Sequence, residues 1–242
     1  MRDYFDEPVA ARYDASSAAM FAPDVVDPAV DFLAGLAGSG RALELGIGTG
    51  RIALPLAARG VEVHGIDLSA AMIERLRAKP GADAIGTTVG DFATTRIEGS
   101  FALAYLVFNT ISNLTSQAQQ VACFANVAAH LDAGGSFVIE VGVPELQRLS
   151  AGERFVVFAA EDDHWGVDEY DVANQGLVSH HFSRLEDGRI ERSSIPFRYT
   201  WPAELDLMAQ LAGMRLRERW ADWDRSAFTN DSRKHVSVWQ KT

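Results

Sequence analysis

The sequence predicts an α/β fold, in which a mostly parallel sheet carries helices on both faces and a small antiparallel β insertion is added. Between residues 40 and 142, short apolar strands alternate with helical segments, which is typical of βαβ units. These strands lack polar alternation, as expected of a sheet that is covered on both faces. From about residue 152 to 200 the pattern indicates consecutive strands, with a hairpin turn at Asp187-Gly188.

The helices and strands of the parallel part are bounded by residues that start and stop helices. Asp27-Pro28 opens a helical pattern that ends near Gly38, and Ser69 is a predicted N-cap. The run Ala133-Gly134-Gly135 is predicted to stop the helix over 116–131. Predicted strands cover 41–45, 61–66, 85–89, 101–108 and 136–141, and further helices cover 51–59 and 69–80.

The second half of the chain is predicted to be rich in strands. A turn at 174–176 precedes a strand over 177–185, and the turn at Asp187-Gly188 leads into a strand over 190–200. Pro202 then opens a helix to residue 212. Two final strands are predicted over 214–220 and 235–239.

Composition and charge exclude several classes of partner. The net charge of −11 argues against a nucleic-acid partner, because binding to phosphates depends on Lys and Arg. The apolar runs are too short to span a membrane, and the start of the chain lacks the pattern of a signal peptide. The single cysteine, Cys123, is predicted to be a buried thiol and suits the reducing cytoplasm. The carboxylates of Asp162-Asp163 and of Asp222 and Asp224 are, alone and at these spacings, weak evidence for a metal, and no metal site is predicted.

A glycine-rich loop follows the first predicted strand. The run Gly46-Ile47-Gly48-Thr49-Gly50 allows a tight turn, close backbone approach to a ligand and entry into a helix N-terminus. Asp67 ends the second strand 21 residues after Gly46, close to the spacing of about 20 for a carboxylate that binds ribose hydroxyls. Gly90-Asp91-Phe92 follows the third strand. The three segments are expected at the same edge of the sheet and predict a nucleoside site.

Two residues beside the loop distinguish between nucleoside ligands. A dinucleotide-binding loop has the pattern G-x-G-x-x-G, but the third glycine position is occupied by Arg51. Glu44 lies two residues before the first glycine. An acid at the mouth of the site would disfavour a pyrophosphate and would favour a cationic ligand that carries an amino acid.

These segments resemble the motifs of the class I S-adenosylmethionine-dependent methyltransferases. Residues 44–50, 65–69 and 90–92 are similar to the first three motifs, and 106–114 is similar to the fourth strand and its loop. The resemblance implies a Rossmann-like, mostly parallel seven-stranded sheet whose final strand, 235–239, is reversed. It also implies methyl transfer from S-adenosylmethionine to a nitrogen or oxygen of a small molecule, with S-adenosylhomocysteine as product.

The resemblance also implies which residues hold the cofactor. The first two loop glycines would approach the methionine part, and Asp67 would bind the ribose hydroxyls. Asp91 would meet the adenine amino group while Phe92 packs nearby, and Tyr13-Asp14 is similar to an arm segment that closes over the cofactor in relatives. The predicted cofactor-binding residues are Tyr13, Glu44, Gly46, Gly48, Gly50, Arg51, Asp67, Leu68, Asp91, Phe92 and Phe108.

The late β-rich stretch is similar in architecture to small-molecule N-methyltransferases, such as those of amino sugars and of glycine. Extra strands in those enzymes roof the substrate pocket or build a dimer, so we expect a substrate cover or a homodimer contact here. The length favours a single domain over 1–242. Within it we expect an N-terminal arm and helix (1–38), a cofactor-binding core (40–142), the β insertion (150–200) and a C-terminal helix with the final strand pair (201–242).

Methyl transfer from a sulfonium depends mainly on alignment, and a base matters only when the acceptor arrives protonated. The candidate catalytic residues are His180, His181 and Tyr199, and the candidate substrate contacts are Asn109, Arg198 and Tyr199. The two histidines face opposite sides of one strand, so at most one can face a pocket. Packing is the competing interpretation for both histidines and for Tyr199, and a loop-stabilising role is the alternative for Asn109.

Two other functions compete with this interpretation. The first is a nucleotide-dependent oxidoreductase, against which Arg51 and Glu44 argue. The second is a non-catalytic module that binds S-adenosylmethionine and regulates a partner, because a cofactor motif alone does not require turnover.

Overall fold

The computed structural model describes residues 3–185 and 187–242. The strands are β1 (Ala42–Leu45), β2 (Val63–Asp67), β3 (Ile85–Val89), β4 (Phe101–Leu106), β5 (Leu131–Gly142), β6 (Phe155–Ala160), β7 (His164–Asp171), β8 (Gly176–Arg184), β9 (Ile190–Arg198), β10 (Met214–Trp220) and β11 (Lys234–Lys241). The α-helices are α1 (Glu7–Ser16), α2 (Pro23–Ala37), α3 (Ala53–Ala58), α4 (Ala70–Arg77), α5 (Gln117–His130) and α6 (Pro202–Leu211). Short 3₁₀ turns cover Ala18–Phe21, Ala82–Ala84, Thr110–Asn113 and Leu146–Arg148.

The main sheet has seven strands in the order β10-β11-β5-β4-β1-β2-β3. Its neighbours from β5 to β3 run parallel, whereas β11 is antiparallel to both β5 and β10. This confirms the mostly parallel seven-stranded sheet and its reversed final strand. Because β1, β2 and β4 end side by side, the loops that follow them converge at one edge.

Helices cover both faces of this sheet, as predicted. Along β4, Leu103 and Tyr105 pack into one core, which α2, α3 and α4 cover. Ala104 and Leu106 pack into the other core, beneath α5 and α6. All four side chains are fully buried, and complete burial of a large apolar side chain contributes roughly 1.5–3 kcal/mol. Among the described residues, no helix is both long enough and apolar enough to cross a membrane.

A second sheet lies within the predicted insertion. Its four antiparallel strands have the order β6-β7-β8-β9. The predicted turns connect them: Gly188, with φ of +81°, lies between β8 and β9, and Gln175, with φ of +54°, precedes β8. The 3₁₀ turn Thr110–Asn113, which follows β4, packs against β9. The second sheet therefore stands over the carboxyl edge of the main sheet.

One predicted helix start and one predicted helix stop signal were wrong. Helix α2 begins at Pro23, so Pro28 lies inside it rather than at its start; a proline at the first position lacks only an N–H that would be unpaired there. Helix α5 ends at His130, and β5 begins at the next residue. The glycines after it belong to β5, where a Cβ on Gly135 would lie 2.9 Å from the Asp132 carbonyl oxygen.

The N-terminal arm contains a helix that the sequence did not indicate. Helix α1 has a single buried residue, Ala10, so it lacks the apolar stripe by which a surface helix is recognised. The helix is held instead by polar contacts to the core, which are described below.

Candidate active site

The loop between β1 and α3 is shaped by glycines with positive φ. Gly46 and Gly50 have φ of +73° and +83°, a region that residues with a Cβ rarely adopt. A Cβ on Gly46 would lie 2.5 Å from Thr110 Cγ2, and one on Gly50 would lie 2.6 Å from Leu76 Cδ1. The Gly46 N–H donates to the Ile66 carbonyl at 2.8 Å. The loop is thus fixed against β2 with its backbone exposed to a ligand.

Asp67 ends β2 with its carboxylate held beside this loop. Its Oδ2 accepts a hydrogen bond from the Gly48 N–H at 2.7 Å, and its Oδ1 accepts one from the Ser69 N–H at 2.9 Å. Burial raises the pKa of Asp67, and these backbone donors oppose the rise. Each carboxylate oxygen has two lone pairs, so acceptor capacity remains for two hydroxyl groups of a ligand.

A cavity lies over the glycine loop and Asp67. Its lining residues are Asp3, Tyr4, Phe5, Tyr13, Gly46, Gly48, Asp67, Leu68, Met72, Phe92, Thr110, Asn113 and Pro196. Within the described part of the chain, this lining includes two acids but no Lys or Arg. Phosphates are commonly bound through such cations, whereas a carboxylate, apolar walls and bare glycine backbone suit a nucleoside with a cationic tail. The residues present therefore fit S-adenosylmethionine.

The N-terminal arm closes one side of this cavity. The Asp14 carboxylate accepts a hydrogen bond from Thr49 Oγ1 at 2.6 Å and pairs with Lys79 Nζ at 2.5 Å. Ser69 Oγ donates to the Phe5 carbonyl at 2.5 Å. These contacts connect the arm to the glycine loop and to both ends of α4. The arm segment predicted to close over the cofactor is thus brought to the cavity.

Tyr13 reaches the cavity from α1, as predicted. Its ring packs edge-on against Phe5 with the ring centres 6.1 Å apart. Burial raises the pKa of the Tyr13 phenol, although Arg51 opposes the rise. At neutral pH the phenol is therefore protonated and can donate a hydrogen bond.

Replacing Asp14 by Asn is expected to speed the release of S-adenosylmethionine about two- to fivefold. The amide removes the charge that pairs with Lys79, and a partly exposed ion pair contributes roughly 1 kcal/mol or less. Stopped-flow fluorescence of the arm would measure the rate. Asp6→Asn is the matched control, because Asp6 directly precedes α1, the helix that contains Asp14, and its side chain makes no capping hydrogen bond there. Equal rates in the two variants would contradict the prediction.

Comparisons with known proteins identify the family. A family model described as a methyltransferase domain matches residues 42–135. The structure of the CcbJ methyltransferase from Streptomyces caelestis is 39% identical, covers 89% of this chain and 88% of that chain, and has a TM-score of 0.81. The chain belongs to the class I S-adenosylmethionine-dependent methyltransferases. It is therefore an enzyme that transfers methyl groups, and neither of the two competing functions, the oxidoreductase and the non-catalytic binding module, is retained.

Two further solved methyltransferases share the fold. S-adenosylmethionine-bound CalS10, an amino pentose methyltransferase from Micromonospora echinaspora, is 22% identical, with coverage of 95% of this chain and 96% of that chain and a TM-score of 0.70. The glycopeptide N-methyltransferase MtfA is 17% identical, with coverage of 90% and 91% and a TM-score of 0.63. The comparison with curated proteins gave no match.

Glu44 does not lie at the mouth of the methyltransferase's cavity. Its side chain is buried beneath the loop, 2% exposed, and its Oε2 accepts a hydrogen bond from the Tyr105 hydroxyl at 2.9 Å. Burial raises the pKa of Glu44 to about 8, although the bond from Tyr105 lowers it. The prediction of an acid at the mouth was wrong, because the side chain of this central β1 residue points into the core.

Four other predicted cofactor residues lie outside the cavity's described lining: Gly50, Arg51, Asp91 and Phe108. Arg51 Nη1 donates to the Met20 carbonyl at 3.3 Å, and its guanidinium lies 5.4 Å from the centre of the Phe108 ring. Asp91 Oδ1 accepts a hydrogen bond from the Ala93 N–H at 2.9 Å. Gly50 packs against α4, as described above. Cofactor contact by these residues stays a prediction.

A second cavity of about 500 Å³ lies between the four-stranded sheet and the carboxyl end of β5, within the range of roughly 300–1,000 Å³ typical of ligand pockets. The Asp168 carboxylate in its wall accepts a hydrogen bond from the Ser179 hydroxyl. The rings of Tyr170 and Tyr199 form another part of the wall, with centres 5.8 Å apart. Burial raises the pKa of Tyr170 to about 12.

The turn after β4 separates the two cavities. Thr110 and Asn113 line the first cavity, whereas Asn109 and Ser112 line the second. Tyr199 lies in the second cavity as well. The structure thus brings two of the predicted substrate contacts, Asn109 and Tyr199, to one cavity that adjoins the cofactor motifs.

The structure does not bring His180 and His181 to either cavity's described lining. His180 Nδ1 lies 2.8 Å from Ser194 Oγ, on the face of β8 opposite the second cavity. The His181 ring stacks on His164 at 5.3 Å and packs at 5.2 Å against Phe158, which itself lines the cavity. In this arrangement neighbouring side chains contact both imidazoles, and a catalytic role for either histidine stays a prediction.

Arg198 is likewise removed from substrate. Its guanidinium is buried and donates to Gln120 Oε1 at 2.5 Å, to Glu204 Oε1 at 2.7 Å and to Gln175 Oε1 at 3.1 Å. These bonds join β9 to α5 and α6. The substrate contact predicted for Arg198 was therefore wrong, because its donors are directed into the interior.

Several lining residues were missed by the sequence analysis. Asp168 and Tyr170 alternate along β7 and share the face that carries Ser179 of β8. A period of two residues would have placed Asp168 and Tyr170 on one face, but it does not reveal which face covers the main sheet. The predicted homodimer stays a prediction.

Proposed function

We propose that this methyltransferase acts on a nitrogen or oxygen atom of a small molecule bound in the second cavity. The turn after β4 carries the proposal, because it contributes Thr110 to the cofactor cavity and Asn109 to the second cavity. Strand β9 adjoins both cavities in the same way, through Pro196 and Phe197. Donor and acceptor would meet where the two cavities adjoin, because an in-line displacement requires the acceptor atom to be aligned with the methyl carbon and in contact with it.

The cofactor would be held by the groups already described in the first cavity. Asp67 would accept hydrogen bonds from the ribose hydroxyls, and Gly46 and Gly48 leave their backbone open to the methionine part. Leu68 and Phe92 would flank the adenine. When bound, S-adenosylmethionine supplies a methyl group activated by its sulfonium.

In the second cavity, Asn109 and Tyr199 would orient the acceptor and Asp168 would take up its proton. Burial raises the pKa of Tyr199, so the phenol stays protonated and acts as a hydrogen-bond donor. Burial also raises the pKa of Asp168, which makes this carboxylate a stronger base than an exposed one. The acceptor nitrogen or oxygen would form a bond to the methyl carbon while the bond from that carbon to the sulfonium sulfur breaks, and its proton would pass to Asp168. The thioether S-adenosylhomocysteine would be the leaving group.

A nitrogen acceptor has additional support. CalS10 is an amino pentose methyltransferase and MtfA is a glycopeptide N-methyltransferase, and this chain shares their fold. The second cavity also combines the Asp168 carboxylate with aromatic rings, surroundings that favour a cationic amine.

Replacing Asp168 by Asn is expected to lower kcat/KM at least tenfold and to leave S-adenosylmethionine affinity within about twofold, because the amide cannot take up a proton. Transfer of a labelled methyl group to a panel of small amines and alcohols would identify an acceptor for this measurement. Asp163→Asn is the matched control, since Asp163 is an exposed acid in the same insertion. Cofactor binding without turnover of any panel member, or equal kcat/KM in both variants, would contradict the proposal.

A further inference from the structure

We propose that Glu140 is a positioning residue that holds the turn after β4 in the conformation needed for methyl transfer. Phe108 and Asn109 begin this turn with φ of +54° and +61°. Two consecutive residues with a Cβ are rarely found in this region, and a bulky aromatic residue is especially unfavourable there. Such a conformation persists only when the surrounding structure enforces it.

Three hydrogen bonds from β5 enforce this conformation. Glu140 Oε2 accepts from the Phe108 N–H at 3.0 Å, and the Glu140 carbonyl accepts from the Asn109 N–H at 3.2 Å. In return, the Gly142 N–H donates to Asn109 Oδ1 at 2.7 Å. Of these partners, only the Glu140 carboxylate is a side chain of β5, so it is the contact that substitution can remove without breaking the strand.

The Glu140 carboxylate is itself fixed by an ion-pair network. Its Oε1 lies 3.3 Å from Lys234 Nζ, and this ammonium also pairs with Asp222 Oδ1 at 2.8 Å. The Glu140 side chain is 14% exposed. Because Lys234 engages one oxygen of Glu140, the other oxygen is directed at the Phe108 N–H.

The position of the turn determines the shape of the cofactor cavity. Thr110 lies two residues after Phe108, and a Cβ on Gly46 would be only 2.5 Å from its Cγ2. The turn and the glycine loop therefore pack directly against each other. A turn released from Glu140 would relax toward ordinary φ values and move Thr110 relative to Gly46. Glu140 would thus act on the cofactor through the turn, without touching it.

A pair of variants of similar size tests this role without a known acceptor. Glu140→Met removes the acceptor of the Phe108 N–H, whereas Glu140→Gln retains a carbonyl oxygen for it. We expect Glu140→Met to speed amide hydrogen exchange at Phe108 at least tenfold and to weaken S-adenosylmethionine binding about five- to tenfold. Glu140→Gln should stay within about threefold of the wild-type chain in both measurements.

Glu62→Ala is the control, because it removes an exposed ion pair with Arg41 at the opposite end of the strands. It should alter neither the exchange at Phe108 nor the affinity. Wild-type exchange and affinity in Glu140→Met would overturn the proposal. If Glu140→Met does not fold, Glu140→Ala takes its place, because it also removes the acceptor of the Phe108 N–H; wild-type exchange and affinity in that variant would overturn the proposal.

Discussion

Replacing Asp67 by Ala is expected to weaken the binding of S-adenosylmethionine about 100-fold, or about 2.7 kcal/mol. A hydrogen bond to a charged group contributes roughly 1.5–3 kcal/mol, and the carboxylate can accept more than one from the ribose. The substitution also removes the acceptors of the Gly48 and Ser69 N–H groups. The glycine loop would therefore lose the group that orders it as well as its contact to the ligand.

Isothermal calorimetry with S-adenosylmethionine and S-adenosylhomocysteine would measure this loss. Asp67→Asn should lose about tenfold, because one face of its amide presents a donor to the backbone N–H groups. Glu74→Ala removes the same charge from an exposed position on α4 and should bind like the wild-type chain. Unchanged affinity in Asp67→Ala, with wild-type melting temperature, would remove Asp67 from the proposed cofactor site.

Replacing Glu44 by Gln is expected to raise the free energy of unfolding at alkaline pH by up to about 5 kcal/mol. Burial raises the pKa of this carboxyl from 4.5 to about 8 in the folded chain, and each tenfold change in an acid dissociation constant corresponds to about 1.36 kcal/mol. The glutamine amide has nearly the same shape and can still accept the hydrogen bond from the Tyr105 hydroxyl, so the core packing is retained.

The direction of this pH dependence follows from the difference between the Glu44 pKa in the folded and in the unfolded chain. Below pH 4.5 the carboxyl is protonated in both folded and unfolded chains, and Glu44 adds no pH dependence. Between pH 4.5 and about 8 the unfolded chain has lost the proton while the folded chain retains it, so the folded state loses stability as the pH rises. Above about pH 8 the penalty is complete and constant.

Urea unfolding from pH 5 to pH 9 would measure the difference between the wild-type chain and Glu44→Gln. The difference should be small at pH 5 and should grow up to about pH 8. Glu62→Gln is the control, because Glu62 is exposed and paired with Arg41 just before β2. A difference that does not change with pH would show that Glu44 is charged in the folded chain.

The cofactor side of the site was largely predictable from local signals. The positive φ at Gly46 and the side chain that ends β2 at Asp67 are properties of a strand-loop-helix unit. Their spacing along the chain therefore predicts that the glycine loop and the Asp67 carboxylate lie side by side. The prediction that Glu44 lies at the mouth of the site was wrong, because period-two alternation alone does not tell which face of a fully buried strand points toward the loop.

The acceptor side could not be predicted in the same way. His181 and Asp168 both lie on inward-facing positions of the second sheet, yet only Asp168 lines the cavity because Phe158 covers His181. Arg198 had the charge of a substrate contact, but Gln120 and Glu204 lie far from it in sequence and close to it in space. Contacts of this kind depend on strand register and helix docking, which local patterns do not encode.

By itself, the sequence determined the α/β class, the order of strands and helices between residues 40 and 142 and the segments that line the first cavity. These features follow from short-range periodicity, from glycines that permit positive φ and from the regular handedness of βαβ units. Only the tertiary structure decided that the second sheet stands over the edge of the main sheet and that the turn after β4 lies between two cavities. It also placed Glu140 under that turn, because the pairing of β4 with β5 brings together residues more than 30 positions apart.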